Sequence, residues 1–176
     1  MLNEFGTTAR GRAWLRLAEP LRVTRPDPRL PRARSLARND RVGALGTEPG
    51  RVVATVDDGR PRRVEVVFPV WDDEARATAA TVLAAAAEDG AVAELAAAGV
   101  PLVPDDAAVR VSCDCGRTGR CVHALAVLIE LARRVDEAPD LAATLRGSMP
   151  RWGAGDTTRI RIADLDPGAF WTVTTP

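Results

Sequence analysis

The residues able to do chemistry sit together. All three cysteines and the single histidine of the 176-residue chain fall within eleven positions: Cys113, Cys115, Cys121 and His123, in the pattern C-x-C-x5-C-x-H. Three thiols and one imidazole are the donor set of a tetrahedral structural zinc site. Four protein ligands also close the shell that a catalytic zinc leaves open. Other uses of these residues fit less well. An odd cysteine count in a reducing compartment argues against a disulfide. No C-x-x-C redox pair occurs, and the H-x-E…C-x-x-C signature of zinc deaminases is missing. Zn2+ is therefore the expected cofactor, in a structural role.

No enzyme is expected. There is no Walker loop and no G-x-S-x-G, and Gly153-Ala154-Gly155 is only a fragment of a dinucleotide fingerprint. With His123 given to the metal, no second histidine remains for acid–base work. The carboxylate pairs Asp57-Asp58, Asp72-Asp73 and Asp105-Asp106 fall at turns or helix starts, where capping accounts for them.

Two elements must position the four donors. A strand over Val109–Cys113 leads into the first two cysteines, which lie two apart and so on one face of a strand. Gly116-Arg117-Thr118-Gly119-Arg120 then supplies two glycines for the reversal. A helix from about Cys121 to Val135 follows. Val122, Leu125, Ile129 and Ala132 form one apolar stripe, and Ala124, Leu128, Leu131 and Val135 a second, so this helix is largely buried. Its N-terminal dipole favours a thiolate at Cys121, and Val122 and Leu125 anchor the site to the core.

Around this corner the pattern predicts a meander. Val42–Thr47, Val52–Val56 and Val64–Val70 read as strands, separated by Glu48-Pro49-Gly50 and Asp57-Asp58-Gly59. Val64, Val66, Phe68 and Val70 are expected on one face. Residues 75–98 hold 13 alanines, which predicts helices over Asp72–Ala87 and Ala91–Ala98 with a break at Asp89-Gly90. Gly11–Leu17 and Asp140–Arg146 read as short helices. Pro26, Pro28 and Pro31 mark Thr24–Pro31 as an extended linker.

The expected fold class is α+β: a small antiparallel β-meander packed with Ala-rich helices and a strand–turn–helix zinc finger over about 109–135. Three regions follow. Residues 1–41 are an Arg-rich segment with a short helix and linker, 42–148 are the α+β core, and 149–176 read as a mobile tail.

Composition bounds the partners. A 46% hydrophobic content is enough for a core. Equal numbers of basic and acidic residues, 24 each, exclude a histone-like protein. No apolar run approaches the ~18 residues of a membrane span, and the first residues carry no secretory pattern, so a cytoplasmic location is expected.

The charge is unevenly spread. Residues 1–63 hold 14 arginines against 7 acidic residues, and every basic residue in the chain is Arg. Arg32, Arg34, Arg38 and Arg41 include pairs four and three apart, so one helical face could carry several guanidiniums, whose planar fork suits phosphate. With Arg117 and Arg120 of the finger loop, these are the candidate nucleic-acid contacts. Aromatic stacking platforms are sparse there, with only Phe5 and Trp14 in the basic half. Phe170-Trp171 is a candidate partner-protein anchor, with packing back on its own domain as the alternative. Trp71 reads as a core residue.

The finger, followed by Ala-Leu-Ala-Val-Leu, resembles the SWIM-type zinc finger. Arg10-Gly11-Arg12-Ala13-Trp14-Leu15, Arg32-Ala33-Arg34-Ser35-Leu36-Ala37-Arg38 with Arg41-Val42, and Asp166-Pro167-Gly168-Ala169-Phe170-Trp171 extend the likeness over roughly residues 8–171. They are similar to a bacterial, often actinobacterial, SWIM family encoded near SWI/SNF-type helicase-like ATPases. The resemblance implies a non-enzymatic zinc protein, with the metal on Cys113, Cys115, Cys121 and His123. It would bind DNA or proteins as an accessory subunit of such an ATPase, or act alone as a nucleic-acid-binding regulator. Val122 stands where the family often has Lys, and the loop Gly116–Arg120 lacks the family's frequent aromatic.

Overall fold

Valine-rich alternation builds the sheet. The computed structural model describes residues 5–20, 27–86 and 90–148. Strands β1 (Val42–Glu48), β2 (Arg51–Asp57), β3 (Pro61–Val67) and β4 (Arg110–Cys113) pair antiparallel in the order β1-β2-β3-β4. Pro49-Gly50 closes the first hairpin, with Gly50 at φ +73°. A side chain there would also press on Val70 and the Phe68 carbonyl. The second hairpin turns through Asp58-Gly59-Arg60, since Asp57 pairs with Pro61. Opposed residues Val52 and Val66, and Ala54 and Val64, line the buried face together with Val56.

One expectation for β3 is corrected. Val64, Val66 and Phe68 are buried as expected, but Val70 is 49% exposed. The strand ends at Val67, and Pro69, which has no N–H for the ladder, breaks the alternation before Val70 is reached.

Helix α5 (Val122–Glu137) covers the buried face of the sheet. Both of its apolar stripes are used: eleven of its sixteen residues are buried. Helices α1 (Ala9–Leu15) and α2 (Leu30–Arg38) pack on its other sides. The Arg-rich segment thus gives Trp14, Leu15, Leu17, Ala33, Leu36 and Ala37 to the same hydrophobic cluster as the sheet. Trp14 meets Phe68 edge to face, with centroids 5.3 Å apart.

Asp136, near the end of α5, clasps the start of α1. It accepts from the Thr7 and Thr8 amides at 2.9 Å and from the Thr8 hydroxyl at 2.7 Å. Gly11 leaves room for that carboxylate; an added Cβ would lie 1.9 Å from Oδ1.

The linker expectation also changes. Leu30 and Pro31 open α2 instead of ending an extended stretch. Proline is tolerated in a first helical turn, where the missing N–H has no intrahelical partner to lose. The helix stops at Arg38. Asp40 adopts φ +52°, its amide bonds the Ala37 carbonyl, and the Arg41 amide bonds the Leu36 carbonyl. This is a Schellman stop, and it places Arg41 beyond the helix.

The Ala-rich helices are α3 (Asp73–Ala85) and α4 (Ala91–Ala97), which pack on each other, while α4 also touches α1. Asp72 caps α3 by accepting from the Ala75 amide. A single 3-10 turn at Asp106–Ala108 precedes β4, and α6 (Asp140–Leu145) follows α5. Trp71 is buried as expected, with the Arg146 guanidinium over its ring at 5.2 Å. Among the described residues no helix is long and apolar enough to cross a membrane. The tail 149–176, with Trp152, Phe170 and Trp171, lies outside the described residues.

Candidate metal centre

The centre forms where β4 passes into α5. β4 pairs with β3 so that Cys113 lies opposite Val64, and Asp114 locks the strand end by accepting from the Arg63 amide at 3.0 Å. Cys115 does not share a strand face with Cys113, as the spacing suggested. The strand ends at Cys113 and the chain turns at Asp114-Cys115, with Gly116 at φ +75°. The turn, not the pleat, brings the two thiols together. Gly119, at φ +71°, completes the reversal. Cys121 is then the N-cap of α5, its sulfur accepting from the Ala124 amide at 3.5 Å, and His123 lies in the first turn.

The four donor atoms lie within 4.8 Å of one another. His123 presents Nδ1 to the thiols, at 3.6 Å from Cys113 Sγ and 3.7 Å from Cys121 Sγ. A tetrahedral zinc with bonds of about 2.3 Å to sulfur and about 2.0 Å to nitrogen has sulfur–nitrogen edges of about 3.5 Å. The two His123 sulfur–nitrogen distances match that edge. The cluster's soft thiolates and borderline imidazole suit zinc and exclude calcium or magnesium, which take oxygen ligands. Cys121 and His123 are buried, while Cys113 and Cys115 are half-buried. The four residues can therefore hold a metal ion such as zinc.

Electrostatics separates the thiols. Burial pushes Cys113 up to about 12. Cys115 accepts a backbone N–H from Arg117, which with its thiol and imidazole neighbours brings it down to about 6. A bound cation outweighs these differences, because coordination deprotonates a thiol outright.

One residue at the site was missed. Asp58, assigned from sequence to turn geometry alone, places Oδ2 3.3 Å from His123 Nε2. Arg32 holds its other oxygen at 2.6 Å and keeps its carboxyl below the usual carboxylate range. No local signal marks this contact, because 65 residues separate the partners.

The candidate arginines are dispersed. Arg32 reaches Asp58, whereas Arg34, two positions on, forks onto Glu19 at 2.7 and 2.5 Å. Arg41 pairs with Asp57 at 2.6 Å. Arg120 bonds the Leu17 carbonyl and pairs with Asp106, bracing the finger loop against the chain after α1. Arg38 is exposed at the end of α2, and Arg117 is exposed in the finger loop. Phe170 and Trp171 lie outside the described residues. Compared with family models, with curated proteins and with solved structures, the chain matches none, so the character of the centre rests on its own four donors.

Proposed function

We propose that this chain is a non-enzymatic zinc protein with a SWIM-type finger. In this reading it is an accessory subunit of a SWI/SNF-type helicase-like ATPase, and protein recognition comes ahead of DNA contact. The observation that carries the reading is the set of four donors within 4.8 Å of one another, with His123 Nδ1 turned to the thiols. Four protein ligands fill a zinc shell and leave no position for substrate, which supports a structural metal. The preference for protein recognition is supported by the pairing of Arg32, Arg34, Arg41 and Arg120 with acidic residues of the same chain. A guanidinium already paired has fewer open N–H groups and less uncompensated charge to offer a phosphate.

The residues supply the chemistry of holding a metal. Cys113 and Cys115 approach from the strand–turn side and Cys121 and His123 from the helix side, so an ion held by all four would join the two. Zinc bound there would offset most of the thiolate charge and tie the end of β4 to the start of α5. Arg117, exposed in the finger loop, favours a second reading, a stand-alone nucleic-acid-binding regulator.

The test is in two steps. Native mass spectrometry is expected to find one zinc per chain, and a metal-free chain overturns the reading. The zinc-loaded protein is then titrated with single-stranded, duplex and forked DNA over a salt series, beside the co-expressed ATPase. A stable complex with the ATPase and little DNA binding supports the subunit role. DNA binding that falls steeply with salt, as counterion release demands, and that is lost with Arg38→Ala or Arg117→Ala supports the second reading instead.

A further inference from the structure

We propose that Asp58 is the positioning residue of the metal centre, its carboxylate fixing the His123 ring so that Nδ1 faces the metal, with Arg32 holding the carboxylate in place. This rests on the reading of the four donors as a zinc site.

The geometry begins in the sheet. Because β3 pairs with β4 and Val64 lies opposite Cys113, the β2–β3 loop is carried to the end of the sheet where β4 hands over to α5. Asp58, the first residue of that loop, thereby meets a histidine 65 positions later. His123 is 8% exposed, and both ring nitrogens face protein partners, Nδ1 the thiols and Nε2 Asp58. A neutral imidazole carries one N–H. If Nδ1 gives its lone pair to a metal, the proton must sit on Nε2, and Nε2 faces Asp58 Oδ2 at 3.3 Å. The carboxylate accepts that proton's hydrogen bond, selects the tautomer and stops the ring from turning. Carboxylate–histidine–metal chains of this kind are the usual way a ligand ring is oriented.

Arg32 completes the arrangement. Three thiolates outweigh a divalent cation by one negative charge, so a bare carboxylate beside them would be repelled. Arg32 Nη2 lies 2.6 Å from Asp58 Oδ1 and cancels that charge, leaving Oδ2 for the ring. The pair also ties α2 and the β2–β3 hairpin to the finger. An arginine that looked like a phosphate contact in the sequence thus has an employment inside the protein.

The test is zinc affinity, measured on the full chain by competition with a chromogenic chelator, together with the His123 nitrogen resonances. Asp58→Ala is expected to weaken zinc about 10–100-fold and to make the Nε2 proton exchange rapidly with water. Arg32→Ala is expected to weaken it less, by about 3–10-fold, at or below the lower end of that range. Asp57→Ala, one residue away and outside the centre, leaves affinity within about twofold, well short of that loss. If Asp58→Ala does not fold, Asp58→Asn and Arg32→Ala carry the test. Affinities within twofold of the parent and an unchanged Nε2 resonance would overturn the role of Asp58 while leaving the zinc site standing. A parent chain that takes no zinc overturns the zinc reading itself.

Discussion

The two ends of α5 are held in opposite ways. At its N-terminus the chain from Asp114 to Arg120 is mostly exposed, holds no large apolar side chain and reverses through two positive-φ glycines. It buries too little surface to order itself, and four polar donors converge to cross-link it. At its C-terminus α5 lies against α1 along an apolar seam with Trp14 and Leu15, and Asp136 closes the seam with three hydrogen bonds. One end offers donors that could hold an ion, and the other is secured by burial. A small domain can mix both devices along one helix, spending coordination only where the sequence is too polar to pack.

This contrast sets an order of expected effects. Stripping zinc with a strong chelator acts on the end that has no substitute. It is expected to lower Tm by about 10 °C or more, with amide protection lost over 110–123 and retained in the second half of α5. Calorimetry and hydrogen exchange check this, and a Tm shift under about 2 °C would show that coordination contributes little there.

Next comes the packed end. Leu128 is 1% exposed in the middle of α5, and Leu128→Ala is expected to cost about 2–5 kcal/mol. Zinc affinity should stay near the parent value, as denaturant titration and metal competition can show together. A large loss of affinity would mean that the two ends are not separable.

Gly11→Ala is expected to cost about 2 kcal/mol, because its Cβ would displace the Asp136 carboxylate from its charged hydrogen bonds. Asp136→Ala should cost a similar amount for the same reason. The double variant should cost clearly less than both together, and a simple sum would show that Gly11 and Asp136 act independently.

Glu130→Gln follows, at about 1–2 kcal/mol. That buried carboxylate accepts from Arg133 and Arg134 at 2.8–2.9 Å. Smallest is Asp57→Ala, expected to stay under about 1 kcal/mol, since its pair with Arg41 is half-exposed on both sides.

Legibility follows the range of the interaction. The α5 helix was readable because its two stripes are local and both are buried. The four donors were readable because they lie within eleven residues and exhaust the chain's cysteine and histidine. The meander followed from valine alternation and two turn signals. Asp58 was not readable, since its partner is delivered by strand pairing far along the chain. Nor was Asp136, whose work is to hold Thr8, the N-cap of a helix more than a hundred residues earlier. The arginines misled for a related reason: their spacing is local, but the acids that engage them come from the chain after α1, from the β2–β3 hairpin and from the turn before β4. Pro31 misled because proline forbids a helix interior while permitting its first turn.

The length of α5 is as constrained as its composition. Thirteen positions separate His123 from Asp136, and at about 100° and 1.5 Å per residue the two side chains leave the rod on nearly opposite sides, roughly 20 Å apart. Rotation set at one end is inherited at the other. One alanine inserted between Leu131 and Ala132 would leave every ligand in place, yet would swing Asp136 by about 100° away from Thr7 and Thr8. The number of residues in this helix is therefore constrained separately from their identity, because it sets the rotational phase that both ends share.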